Sequence, residues 1–135
     1  MSDCLFCQIV AGQIPSYRLY EDEAAIAFLD IGPWHRGHSL VVPKRHTIDG
    51  TVEADSWHEL AEALVTVSQL LRSKLGASGI NLLSNAGASA GQEVFHFHVH
   101  VIPRYDDHPG MAGLSERDPG AADDLAGLHA LLMAQ

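Results

Sequence analysis

The rhythm of apolar and polar residues changes several times along the chain, and each rhythm predicts an element. Trp57, Leu60, Leu64, Val67 and Leu71 recur at three- and four-residue steps, which places them on one stripe of a helix over 53–75. Ser56 and Glu59 match a capping box at its start, and Gly76 stands where a C-terminal cap belongs. A shorter helix is predicted from Ser2 or Asp3, carrying Cys4, Phe6, Cys7 and Ile9 and stopping before Gly12 and Pro15. "SYRLYED" and "AAIAFLDI" predict a β-hairpin over 17–31, with "HSLVVP" as a third strand ended by Pro43. "INLLSN" reads as a fourth strand and "VFHFHVHVIP" as a fifth. "GPWHRG" is a loop, and "AGASAGQ" is a small-residue loop leading into the fifth strand. After Tyr105 the chain turns polar and rich in Gly and Pro, so 106–120 is expected to be irregular, with a weaker helix near 121–133. This order predicts one domain: a mostly antiparallel α+β meander with helices on one face of the sheet.

Composition narrows the partners. The chain is 47% hydrophobic and 19% charged, which places it among soluble globular proteins. A net charge of −9 argues against a grip on a nucleic-acid backbone, yet allows a small nucleotide held by a few local donors. No apolar run approaches the roughly 20 residues of a membrane-spanning helix. "MSDCLFCQIV" has no basic region followed by an apolar segment, so a cytoplasmic chain without membrane partners is expected. Its two cysteines, Cys4 and Cys7, are too close to frame the fold by disulfides. They read as a redox motif, half of a metal site, or two buried small residues.

The sharpest chemical signal is "EVFHFHVHVIPRY", residues 93–105. In a strand, His96, His98 and His100 would share one face, leaving Phe95, Phe97, Val99 and Val101 for the core. Histidines that merely satisfy hydrogen bonds explain one such residue better than three in register. One zinc ion fits poorly, because the outer pair would lie about 13 Å apart along a strand. Phosphoryl-type chemistry fits better. Neutral imidazole is a nucleophile near pH 7, and a neighbour about 7 Å along the face can reach the leaving atom. The upstream small-residue loop would then supply backbone donors for phosphate oxygens.

With its flanks, this segment resembles the histidine-triad (HIT) superfamily. "HFHVHVI" satisfies His-φ-His-φ-His-φ-φ, with φ apolar; "NAGASAGQEVFHFHVHVIPRY", "FLDIGPWHRGHSLVVPKRH" and "CLFCQIVAGQIPS" resemble it independently, over residues 4–105. The likeness is greatest to the Hint branch and to bacterial HIT proteins with an N-terminal cysteine pair. It implies a five-stranded antiparallel sheet with two main helices, joined across a homodimer into ten strands. It also implies hydrolase or transferase chemistry on nucleoside phosphoramidates and other nucleoside 5′-monophosphate derivatives, through a nucleotidyl-histidine. Alternatives are a nucleotide-binding scaffold with little turnover and a dinucleoside polyphosphate hydrolase.

By that resemblance His98 is the nucleophile, His100 contacts phosphate or leaving group, and His38 supports His100. Asn85, Gln92, Glu93 and Val94 border the phosphate and leaving group; Asp30 holds the ribose hydroxyls. Phe6, Ile9, Ile14, Phe28 and Ile31 form the slot for a purine base. Glu93 departs from the pattern, standing where Hint proteins often carry a small hydroxyl residue. Its carboxylate would repel phosphate, or would turn away and leave its backbone N–H in use. Cys4 and Cys7 would complete a structural zinc site with His46 and His96, against the alternative of a metal-free pair. No metal is expected to take part in the chemical step. His35, His58, His108 and His129 have no motif around them and are expected to be exposed.

Overall fold

The computed structural model of the protein describes residues 3–135, so the helix start proposed at Ser2 lies outside the described residues. In chain order the elements are α1 (Leu5–Val10), β1 (Arg18–Glu21), β2 (Ala25–Leu29), β3 (Ser39–Pro43) and α2 (Asp55–Leu75). They continue with β4 (Gly79–Leu83), a 3₁₀ turn (Ala88–Ala90), β5 (Val99–Arg104), α3 (Gly110–Leu114) and α4 (Leu125–Met133). Five antiparallel strands form one sheet in the order β1-β2-β3-β5-β4. The histidine-bearing strand β5 is therefore inserted between β3 and β4, so the topology is not a simple meander. Among the described residues no helix is long and apolar enough to cross a membrane.

Both faces of the sheet are covered, which corrects the expectation of helices on one face. β2 and β3 are buried along their whole length. Their alternate residues divide between two cores. Ala25, Ala27, Leu29 and Val41 join Leu60, Ala63, Val67 and Leu71 of α2, with Leu128 and Leu132 of α4. Ile26, Phe28, Leu40 and Val42 pack on the other face with Phe6 and Ile9 of α1. The signal was present: "AIAFL" and "LVV" are continuous apolar runs, the mark of strands buried on both sides.

α2 follows its predicted stripe, burying Leu60, Ala63, Val67 and Leu71, and ends at Gly76 with φ 68° and an N–H bonded to the Arg72 carbonyl. Its start differs from expectation. Ser56 Oγ donates to the Glu53 carbonyl at 2.9 Å, and Glu59 is drawn to Arg45 instead, so no capping box forms. Trp57 lies at the margin of the stripe, donating Nε1–H to the Gly50 carbonyl and packing its ring edge on Phe97. Gly37 opens β3 at φ 90°, where a Cβ would meet Leu75 Cδ1 at 2.6 Å. Only glycine allows the turn to lie this close to α2 while delivering His38 to the strand.

The fifth strand begins later than its alternation predicts. β5 starts at Val99, so His96 and His98 belong to an irregular lead-in and only His100 to the ladder. Phe97, Val99 and Val101 enter the α2 core, but Phe95 is 49% exposed because the chain bends at 94–96. The tail is ordered too. Arg104 donates to the carbonyls of His108 and Gly110, and a five-residue helix interrupts the segment expected to be irregular. Three tail contacts hold the loop before β3: Tyr105 Oη–H to the Arg36 carbonyl, His35 Nε2 to the Leu114 carbonyl, and the Asp118 N–H to the Trp34 carbonyl. His35 is consequently buried, while His108 and His129 are half-buried; His58 is exposed.

Candidate active site and metal cluster

Hydrogen bonds around the histidine segment decide which nitrogen of each ring carries a hydrogen. His98 Nδ1 lies 2.7 Å from the His96 carbonyl, which can only accept, so Nδ1 holds the hydrogen and Nε2 keeps its lone pair. Ser84 Oγ donates to the His98 carbonyl, fixing the backbone, and Phe6 of α1 stands edge-on to the ring at 5.0 Å. His38 is oriented from the other end. The Trp34 N–H points at His38 Nδ1 from 3.0 Å, so His38 Nε2 carries the hydrogen. That Nε2–H is 2.9 Å from His100 Nδ1, which leaves the His100 hydrogen on Nε2. The cavity thus faces a bare nitrogen on His98 and an N–H on His100, with the rings 5.1 Å apart.

Electrostatics keep this arrangement neutral. Burial is the main cause that pushes His38 and His100 down to about 4, and Asp30 opposes it in both. His98 is also pushed below its usual value, chiefly by burial and against its bond to the His96 carbonyl. Asp30 Oδ2 lies 3.6 Å from His38 Nε2, too far for a hydrogen bond, and its Oδ1 accepts the Gly32 N–H.

A cavity of about 430 Å³ opens over these rings. Its apolar end is lined by Phe6, Ile9, Ile14 and Phe28, with Ile31 77% exposed at the rim. Asp30, Asn85, Glu93, Val94, His98 and His100 also lie on its wall, so most of the residues singled out by sequence are brought together. Two are not on it. His38 is buried behind His100, and Gln92 is buried in the loop, accepting the Gly87 N–H and donating to the Ile48 and Val94 carbonyls. The loop amides differ from expectation as well. Those of Gly87, Ala90, Gly91 and Gln92 are bonded within their own turn. Glu93 and Val94 N–H make no such bond among the described residues, and both residues line the cavity, so they are donors open to an oxyanion.

Among the wall residues that sequence reasoning missed are Trp34 and Arg117. The Arg117 guanidinium carbon lies 5.2 Å from the Trp34 ring centroid, a cation–π distance. A tryptophan in "GPWHRG" was a visible signal. Arg117 had none, since it is a single basic residue within the acidic stretch 116–124.

Behind the row, His96 turns away from His98 and meets the N-terminal helix. Its Nε2 lies 2.8 Å from the Pro43 carbonyl, so Nδ1 is left as a lone pair. That Nδ1 is 3.4 Å from Cys4 Sγ, 3.5 Å from Cys7 Sγ and 3.2 Å from His46 Nδ1; Cys7 Sγ is 3.4 Å from His46 Nδ1. A tetrahedral zinc ion with ordinary bond lengths separates two nitrogens by about 3.3 Å and nitrogen from sulfur by about 3.6 Å. The four donors therefore have the spacing and the chemistry of a closed tetrahedral site. The bond of His96 to the Pro43 carbonyl is the outer support such ligands use.

Residues 11–107 match the family described as the HIT domain. The chain belongs to that family. It is 46% identical over 113 residues to an uncharacterized HIT-like protein of Mycoplasma genitalium, covering 82% of this chain and 79% of that protein. It is 39% identical over 105 residues to adenylylsulfatase HINT3 of Arabidopsis thaliana, covering 76% of this chain and 53% of that protein. A zinc-bound histidine triad family protein from Mycobacterium smegmatis superposes with a TM-score of 0.78 at 38% identity, over 96% of this chain and 93% of that one. A hypothetical histidine triad nucleotide-binding protein from Sulfolobus tokodaii gives 0.76 at 34% identity, over 96% and 89%.

Proposed function

We propose that the protein hydrolyses purine nucleoside 5′-monophosphate derivatives, phosphoramidates or mixed anhydrides, through a nucleotidyl intermediate on His98. The observation that carries this reading is the bare Nε2 of His98, aimed at a cavity while its Nδ1–H is held by the His96 carbonyl. Attack on phosphorus makes the ring an imidazolium, and that same carbonyl then stabilises the charge on Nδ1–H. The His100 N–H and the Glu93 and Val94 amides would receive the phosphate oxygens. Asp30 accepts the ribose hydroxyls, and the slot between Phe6, Ile9, Ile14 and Phe28 takes the base.

Incubation with a fluorogenic adenosine phosphoramidate tests the reading. Turnover should be visible, and His98→Ala should remove essentially all of it while AMP still binds. In rapid-quench mass spectrometry the wild type should carry an adenylyl adduct at His98. Full activity in His98→Ala would end the proposal.

Two further assignments accompany it. Cys4, Cys7, His46 and His96 hold a structural zinc ion, on the donor spacing above, with no part in the chemical step. The protein is a homodimer joined along β4, an edge strand whose Leu82 is 56% exposed. A monomeric mass by light scattering at micromolar concentration would contradict the dimer.

A further inference from the structure

The pair of rings behind the cavity has two possible settings. In the one described, His38 Nε2–H donates to His100 Nδ1 at 2.9 Å, and His100 presents Nε2–H to the cavity. In the other, His100 Nδ1–H would donate to His38 Nε2, and His100 would present a bare nitrogen beside that of His98. The two rings alone satisfy either setting equally. The Trp34 N–H chooses between them. It meets His38 Nδ1 at 3.0 Å, and a hydrogen on that nitrogen would leave two donors facing each other. A hydrogen bond of ordinary strength makes the preference about tenfold. Asp30 Oδ2, 3.6 Å from His38 Nε2, favours the same setting without a hydrogen bond.

The amide that makes this choice sits in a loop, 30–38, with no helix or strand of its own. Among the described residues, three hydrogen bonds join 31–37 to distant parts of the chain, and all three come from beyond β5. Tyr105 Oη–H reaches the Arg36 carbonyl at 2.7 Å, and the buried His35 gives Nε2–H to the Leu114 carbonyl at 3.2 Å. The Asp118 N–H holds the Trp34 carbonyl at 2.7 Å, which pins the peptide plane next to the one carrying the Trp34 N–H. The tail is itself a firm anchor. Buried Arg104 binds the carbonyls of His108 and Gly110 with one nitrogen and Asn81 Oδ1 of β4 with another. Gly113 closes this turn so tightly that a Cβ would meet the His108 carbonyl oxygen at 2.1 Å. Leu114 and Asp118 lie past residue 107, where the family match ends, so the strap is built partly outside the matched domain.

We propose that His35 and Tyr105 are positioning residues: they strap the 30–38 loop to the tail, and the strapped Trp34 amide sets the hydrogen on His38 and thereby on His100. This extends the hydrolase reading above, in which the His100 N–H receives a phosphate oxygen. Neither residue touches the substrate. Each acts through the loop backbone, and the product of their action is a donor, rather than a second bare nitrogen, beside His98.

Nitrogen NMR of the isotope-labelled full chain tests this, because it reports which ring nitrogen of each histidine carries the hydrogen and needs no substrate. Wild type should carry it on Nε2 of both His38 and His100. In Tyr105→Phe, in His35→Ala and most clearly in the double variant, the second setting should rise from about a tenth to about a third or more. The Asp118 amide should exchange faster with solvent in the same proteins. His35→Gln keeps a donor for the Leu114 carbonyl and should return the wild-type pattern. With an adenosine phosphoramidate, kcat should fall about 2- to 10-fold, about twofold from the divided population and the rest from turned rings, while KM stays within about twofold. A double variant whose Asp118 amide exchanges freely, yet whose rings keep the wild-type pattern, would overturn the proposal. So would an Asp118 amide that stays protected, because the two anchors would then not hold the strap. His35→Gln no better than His35→Ala would overturn the hydrogen-bonding role of His35. If the double variant does not fold, Tyr105→Phe, which deletes one hydroxyl, decides by the same two measurements. Absence of turnover in wild type would overturn the hydrolase reading and leave the ring measurement to stand alone.

Discussion

At the scale of single residues, function depends on the partner that each imidazole is given by the chain around it. His96, His98 and His100 are the same side chain at alternate positions, yet a carbonyl, a second carbonyl and another histidine assign them different free nitrogens. The alternation made the row legible in the sequence, because period two is a strand signal. Which nitrogen each ring leaves free was not legible, since the Pro43 carbonyl and the Trp34 N–H are brought in by folding. Arg117, seventeen residues beyond His100, was not legible at all. His38→Ala should let the His100 ring turn and lower kcat by about 10- to 100-fold, as loss of an orienting partner does elsewhere, with a smaller change in KM. Steady-state kinetics check this, and an unaltered kcat would show that His38 has no orienting role. The same pair predicts a pH effect on stability. Burial pushes both rings down to about 4 in the folded chain, whereas unfolded histidine titrates near about 6.5. Between these values the unfolded chain binds more protons, so stability rises with pH. The contribution is full above about 6.5 and is lost as pH falls towards about 4. Melting curves of chelator-treated protein from pH 7 to 4.5 should show a steady decline, less steep in His38→Ala; identical slopes in the two proteins would contradict it.

At the scale of elements, the long helix was the easiest to read and the histidine strand the most misleading. α2 carries its apolar residues at helical steps, and Leu60, Val67 and Leu71 of the predicted stripe are buried, with Leu64 partly buried and Trp57 exposed at its margin. Its N-terminal box failed because Arg45 competes for Glu59, a tertiary contact that local sequence cannot report. The strand was overextended for the opposite reason. Its alternation continues through 95–98, but β3 and β4 pair with β5 only from Val99 onward, so the lead-in is free to bend His96 towards α1. The placement of α1 was the main error of layer, although the unbroken apolar run of β2 argued for a helix on each side. The contrast has an energetic consequence. Leu60 is fully buried at the centre of the α2 core, and Leu60→Ala should cost about 2–5 kcal/mol through lost transfer energy and an unfilled cavity. Urea unfolding measures it, with the shift expected in the midpoint; a change below about 1 kcal/mol would mean that the core relaxes around the gap.

At the scale of the whole molecule, the four-donor cluster ties together parts of the chain that lie far apart in sequence. Cys4 and Cys7 come from the start of α1, His46 from the turn after β3, and His96 from the segment that delivers His98. α1 is only six residues long, too short to hold itself in water, so its place on the sheet depends on Phe6, Ile9 and this cluster. Phe6 also stands against the His98 ring and lines the cavity. Removing an ion bound at the cluster would therefore loosen the base slot before it disturbed His98 itself. Chelation of zinc-loaded protein is expected to lower the melting temperature by at least about 5 °C, with zinc restoring it. His96→Ala should reproduce the fall without further response to chelator. In both cases KM for the nucleotide should rise more than kcat falls, because the slot is disturbed and the His98 and His100 bonds are not. Zinc well below one ion per chain in gently purified protein, together with a melting temperature indifferent to chelator, would mean that apolar packing alone seats α1. A fall in kcat as large as that of His98→Ala would mean instead that the cluster governs the nucleophile directly.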